Sequence, residues 1–422
     1  MLNSAFICCL VFSFFGMGPI QARAKLTPDQ MVADFDLLWV TIKNNYCYFD
    51  RKHVDWRKVY KVYRPQAEAA GSREEFITVL ERTLDELYDP HTTLRVNNPN
   101  STRLIPTGLD LWAEWKDGKA IVTQVRPGFG AEQAGVKVGM IIAAINDVPL
   151  TRAVSNRLGC AMTAEDPAAR QWALLALLAG RHDTPRTLRV EQRAQPLALD
   201  APGFHHTDDE TYNPAVEWRK LENRFGYIRV RDLGSSEVTH LFDDALGELA
   251  DTQGLILDLR ETPRGGNTDV GEHIIGSFVS RTTPYQKIIP PSGRVWLKSA
   301  RPTPRKKRYT RPVVVLVNRW TGSMGEGIAV GLDGAGRATV VGTGMAGLNG
   351  DVYALNLPHS GIGFQFTANK IATVKGVLRE EFVPPVNVDL WDAQPHYLGD
   401  PILAAGLEAL EKEQNPVKGR EK

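Results

Sequence analysis

The sequence predicts a multidomain α/β protein. It divides into a helical segment at residues 25–98, a β-rich module at 99–195, a linker at 196–215 and an α/β core with crossover helices at 216–412. Three observations predict this. Before residue 96, apolar side chains recur near every 3.6 residues. Across the next hundred residues they alternate in short runs bounded by Gly and Pro. Beyond 216, wholly apolar runs such as Val313-Val314-Val315-Leu316-Val317 alternate with helical stretches. Strands apolar on both faces imply a parallel sheet with crossover helices. The 422 residues suffice for two or three domains, and 43% apolar with 23% charged residues is a globular balance.

The first 24 residues read as a secretory signal: an uncharged apolar stretch, then Ala22-Arg23-Ala24 with small residues where a signal peptidase cuts. Export to the periplasm or cell envelope, or full secretion, is therefore expected, with no stable membrane span once the signal is removed. Cys8 and Cys9 leave with it, and Cys47 and Cys160 remain as two lone cysteines that an oxidising compartment would allow to pair. No Cys/His cluster has metal-ligand spacing, so no metal is expected. A net charge of +1 gives no pull toward nucleic acid. The run Arg305-Lys306-Lys307-Arg308 reads as a solvated loop.

In the helical segment, Thr27-Pro28-Asp29-Gln30 is an N-terminal cap with Pro in the first turn, and Met31, Phe35, Leu38, Trp39 and Ile42 form the apolar stripe. Ser72 with Glu75 is a capping box, and the third helix is expected to stop at Tyr88-Asp89-Pro90. In the β module, strands are expected at 109–114, 119–125, 140–145 and 187–191, with a helix at 166–178. In the core, strands are expected at 227–230, 254–260, 312–317 and 339–342, and helices at 235–250, 269–278 and 325–332. The linker carries His205 and His206, and a polar tail fills 413–422.

The module resembles a PDZ domain through Val125-Arg126-Pro127-Gly128, Ala131-Glu132-Gln133-Ala134-Gly135-Val136-Lys137-Val138-Gly139-Met140-Ile141 and Ile145-Asn146. Met140 stands where such domains usually carry Asp. A PDZ-like module implies a sheet edge beside a helix, where an extended peptide tail can add as a strand.

The chemistry-bearing motif is Thr321-Gly322-Ser323-Met324-Gly325-Glu326, following the apolar strand and opening a helix. Such a turn exposes a side chain and aims helix N–H groups at it. Together with Leu257-Asp258-Leu259-Arg260-Glu261-Thr262-Pro263-Arg264-Gly265-Gly266, it resembles the tail-specific (C-terminal processing) and tricorn-core serine peptidase family. The resemblance spans nearly all of the mature chain and implies a ClpP/crotonase-like core. It also implies Ser323 as nucleophile, and an oxyanion hole from Gly265 or Gly266 with Met324. The tail-specific branch takes a Lys as base, but Leu348 occupies that position in Gly342-Thr343-Gly344-Met345-Ala346-Gly347-Leu348-Asn349-Gly350. The tricorn-like branch takes a His, and Leu87-Tyr88-Asp89-Pro90-His91-Thr92 matches its setting, making His91 the candidate base. The third member maps to Glu380, with Glu381 as fallback. His359 and Lys370 are the rival bases. The resemblance implies protein or peptide substrates, no cofactor, a possible ligand or regulator on the PDZ-like module, and possible oligomerisation. The alternative is an inactive relative that binds peptides or apolar ligands, as interphotoreceptor retinoid-binding proteins do on the same core.

Overall fold

The structure is a computed structural model that describes residues 25–204, 214–304, 308–393 and 399–414. The signal, His205, His206, Arg305 to Lys307 and the tail beyond 414 lie outside the described residues.

The helical segment comprises Pro28–Asn45, Trp56–Glu68 and Arg73–Asp85. Thr27 Oγ1 accepts from the Gln30 N–H while Gln30 Oε1 accepts from the Thr27 N–H, so two otherwise unpaired donors are satisfied reciprocally. Met31, Phe35, Leu38 and Ile42 are buried as the periodicity requires. Trp39 is only half-buried, and its indole N–H donates to Trp56 O. The third helix ends at Asp85, short of the expected stop. The chain then turns through Tyr88, whose φ of +48° lies in the left-handed region. Two contacts hold that turn: the Gly159 N–H donates to Tyr88 Oη, and Lys52 Nζ donates to Tyr88 O. The turn delivers His91.

The β module is a sheet in the order Leu111–Lys116, Lys119–Val125, Ile141–Ile145, Thr187–Val190, Leu197–Ala198, with helices Leu150–Arg157 and Pro167–Ala179. The helix Leu150–Arg157 was not expected. Pro149 precedes it and offers no side-chain cap, which removes the usual sequence signal.

The core sheet has the order Val386–Asn387, Thr339–Gly342, Val313–Val317, Leu255–Asp258, Phe225–Val230, Val216–Leu221. All of its pairings are parallel except the last, a hairpin. Residues alternate between its two covered faces. Leu255, Leu257, Val313, Val315 and Val317 face Glu237–Glu248, Thr268–Gly276 and Met324–Gly334. Ile256, Val314 and Leu316 face the closing helix Pro401–Gln414. A second sheet joins Thr93–Leu94, Gly363–Ala372, Thr283–Ile289 and Trp296–Ala300, and Asp351–Asn356 also pairs with Gly363–Ala372. Its pairing Thr93↔Gln365 and Leu94↔Phe364 stitches the segment after His91 onto the core. The helical segment completes its own interior with Phe364, Phe366 and Ala368 from that strand. No described helix is long and apolar enough to cross a membrane.

Candidate active site

The site is built on two turns that leave neighbouring parallel strands. One follows Leu255–Asp258 and the other follows Val313–Val317. They are zipped together. The Gly322 N–H donates to Thr262 O, Thr321 Oγ1 donates to Leu259 O, and Thr262 Oγ1 donates to Val230 O. Gly322 sits so close that a Cβ there would lie 2.5 Å from Pro263 O. This packing forces Ser323 to φ +47°, ψ −110°, a region that L side chains rarely enter. Strain of order 1–3 kcal/mol persists only where the surroundings over-determine it, and it clusters at functional sites.

Ser323 caps the helix Met324–Gly334. The Gly265 backbone lies against it, since a Cβ on Gly265 would be 2.4 Å from Ser323 Cβ and 2.8 Å from the Met324 nitrogen. The Gly265 N–H is turned away and donates to Thr262 O at 3.2 Å. The N–H groups of Gly266 and Met324 have no acceptor among the described residues. Alanine at 265 would therefore fill the notch over Ser323 and oppose the local φ of +62°. A Gly265→Ala chain is expected to lose at least about 100-fold in kcat/KM, the order of one lost oxyanion donor. Steady-state kinetics checks this, and full activity in that variant would remove Gly265 from the site.

Behind the turn lies Glu326, wholly buried. Its Oε2 accepts from the Ser323 N–H at 2.9 Å and its Oε1 accepts from the Gly347 N–H at 3.0 Å. Burial pushes its carboxyl up to about 7, against the pull of Arg379 and of the two N–H groups. Glu326 thus ties the serine turn to the loop 343–350. Leu348 is buried in that loop, with its Cδ1 3.4 Å from where a Cβ on Gly322 would sit. An apolar side chain therefore packs against the serine turn.

His91 is buried, 6% exposed. Asp89 organises its turn: Oδ1 accepts from the His91 N–H, and Oδ2 accepts from Thr92 Oγ1 and Thr367 Oγ1. His91 Nδ1 lies 2.7 Å from Asn349 O. A carbonyl can only accept, so Nδ1 carries the proton and Nε2 carries the lone pair. Burial, and next the nearby Arg379 cation, push the imidazole down to about 4.

The other candidates sit elsewhere. Glu380 accepts from Tyr48 Oη at 2.6 Å, and its second oxygen is buried without a partner. Burial raises its carboxyl. Lys370 Nζ donates to Asp50 at 2.6 Å and lies over the Tyr48 ring. Glu381 pairs with Arg51 on the surface. These three contacts join residues 48–51 to the core rather than surrounding His91. His359 is exposed at the tip of the 351–372 hairpin, its N–H donating to Asp34. Cys47 and Cys160 are free thiols. Sequence reasoning overlooked Asn349, Arg379 and the buried role of Glu326. Glu326 was visible as part of the serine motif, whereas a backbone carbonyl leaves no trace in a sequence.

Residues 224–385 match peptidase family S41, and residues 30–85 match the tricorn protease C1 domain. Tricorn protease homolog 1 of Streptomyces coelicolor is 26% identical over 332 residues, 73% of this chain, and the chain spans only 28% of that relative's length. A carboxyl-terminal-processing protease of Picosynechococcus sp. is 24% identical over 387 residues, covering 87% of this chain and 86% of its own. Among solved structures, the photosystem II D1 C-terminal processing protease superposes with a TM-score of 0.54 at 20% identity, covering 90% of this chain and 97% of its own. Mature CPAF gives a TM-score of 0.57 at 15% identity, with coverages of 92% and 96%. At these identities the two structures establish a shared fold.

Proposed function

We propose that this chain, a serine-type peptidase with a domain matching peptidase family S41, is an exported endopeptidase that cleaves protein or peptide substrates through an acyl-enzyme on Ser323. The observation that carries this reading is the strained Ser323 at a helix N-terminus, walled by Gly265. Ser323 Oγ attacks the peptide carbonyl while His91 Nε2 takes its proton. The carbonyl oxygen, now an oxyanion, is met by the Met324 N–H and the glycine turn. His91 then gives the proton to the leaving amine, and water releases the acyl group. No hydrogen bond joins Ser323 to His91 among the described residues, and catalytic contacts often form or tighten only in the substrate complex.

The β module, read as a PDZ domain, would hold a substrate tail or gate the site. Its strand Leu111–Lys116 is an edge strand beside the helix Pro167–Ala179. The edge is partly occupied: Gln171 Nε2 donates to Ala113 O at 2.8 Å, so an added strand must displace Gln171. Trp320 Nε1 donates to Leu109 O at 2.7 Å and Arg126 pairs with Glu261 at 2.8 Å. These contacts connect the module to both active-site turns and favour gating.

The test is fluorophosphonate labelling of the mature protein, with cleavage of unfolded protein substrates followed in parallel. Stoichiometric labelling at Ser323 with new peptide termini supports the proposal. A folded protein that neither labels nor cleaves at any pH from 5 to 9 would instead be a peptide- or apolar-ligand-binding relative. The lack of a hydrogen bond between Ser323 and His91 among the described residues is the feature that favours that second reading.

A further inference from the structure

One buried guanidinium brackets the residue that holds the histidine. Arg379 is 4% exposed. Its Nη2 donates to Leu348 O at 3.1 Å and also to Gly350 O. The residue between them is Asn349, whose carbonyl accepts from His91 Nδ1. The Leu348 and Gly350 carbonyls face Arg379, while the Asn349 carbonyl between them faces His91. Gripping the first and third therefore turns the middle one outward, toward the imidazole. The other end of the same loop is held by Glu326, through the Gly347 N–H, and Glu326 Oε2 lies 3.8 Å from Arg379 Nε. A path of contacts thus runs from the Ser323 N–H through Glu326 and Arg379 to the carbonyls of Leu348 and Gly350, and from Asn349 between them to His91.

We infer that Arg379, seated beside Glu326, is a positioning residue of the catalytic centre: by holding the carbonyls of Leu348 and Gly350 it fixes the Asn349 carbonyl that orients His91. This rests on His91 acting as the base. The main-chain carbonyl takes the place that a carboxylate fills in a Ser-His-Asp triad. It sets the tautomer but carries no full charge to stabilise imidazolium, and the Arg379 cation opposes imidazolium further. The other ionisable groups around this wall are Asp89 on the His91 turn itself, Tyr46, Cys47 and Lys52 near Asp89, Asp351, Glu326 and Tyr285 near Arg379, and Glu380 with Tyr48 beyond it. Of these, Asp89 alone acts on His91 in the opposite sense to Arg379.

Two substitutions separate grip from charge. Arg379→Lys keeps a cation but cannot span both carbonyls; Arg379→Met loses both. The first readout is the His91 titration followed by NMR on ring-labelled histidine in a Ser323→Ala background, where turnover plays no part. The second is the kcat and KM of the Ser323 protein. Both variants are expected to lose about 100-fold in kcat, with KM within about threefold, as for misplacing a general base. The His91 midpoint should rise by about one pH unit in Arg379→Met and stay low in Arg379→Lys. If Arg379→Met does not fold, Arg379→Lys alone decides, since intact kcat in that variant overturns the inference. So does an unmoved His91 midpoint in a folded Arg379→Met protein. A parent protein that never cleaves would overturn the peptidase proposal, while the titration would still report on the Arg379 grip.

Discussion

A Ser323→Ala chain is expected to fold like the parent and to lose about 10⁶-fold in kcat, the order seen when a serine nucleophile is removed. Folding should survive because the hydroxyl supplies only its half of the capping box with Glu326, and the rest of the turn is held without it. The Glu326 contact is made to the Ser323 backbone N–H, and the zip between the turns runs through Gly322, Thr321 and Thr262. Alanine keeps the Cβ that packs against Gly265 and removes the attacking oxygen alone. The left-handed φ is as unfavourable for Ala as for Ser, so the strain stays. Rates of peptide cleavage, active-site labelling and a thermal melt check this together. Unaltered labelling would place the nucleophile elsewhere. Lost labelling with a collapsed melt would mean that the hydroxyl is structural.

The parts of this molecule legible in the sequence are those whose physics is local. Val313–Val317 could be read as a doubly covered strand because every residue in it is apolar. The serine turn could be read because Gly322 and Gly265 mark a close approach that only glycine allows. The second sheet was not read. Its strand Asp351–Asn356 is largely exposed and interrupted by a bulge after Asp351, so it has no clean alternation, although Gly363–Ala372 beside it is buried. The proposed histidine base was picked out by a substitution, Leu348 standing where the resembled tail-specific branch carries its lysine. What orients it did not follow. Glu380 and Glu381 are carboxylates at a suggestive distance along the chain, yet they bind Tyr48 and Arg51. The group at His91 Nδ1 is a peptide carbonyl, which every residue possesses. Arg379 adjoins Glu380 and looks like one more surface charge until its guanidinium is found inside the fold.

Replacing His91 by alanine is expected to lower kcat by about 10⁴- to 10⁶-fold, since base and nucleophile act as a unit. The pH dependence is the sharper half of this prediction. An ordinary imidazole would place the acid limb of kcat/KM near 6.5. Here burial and Arg379 hold the folded-state value near 4, so the base stays neutral and the parent should keep its kcat/KM from neutral pH down to about pH 5. The same shift has a consequence for folding. The folded pKa lies below the unfolded value, so the unfolded chain binds more protons through this window. His91 therefore lowers stability as pH falls from about 6.5 toward 4, whereas above 6.5 it exerts no pH-dependent effect. His91→Ala should remove that component, leaving a melting temperature that declines less steeply than the parent's between those limits. An acid limb near 6.5 in the parent would mean that the Asn349 contact opens in solution. Full activity in His91→Ala would mean that the proton leaves Ser323 by another route, with His359 and Lys370 the next groups to replace.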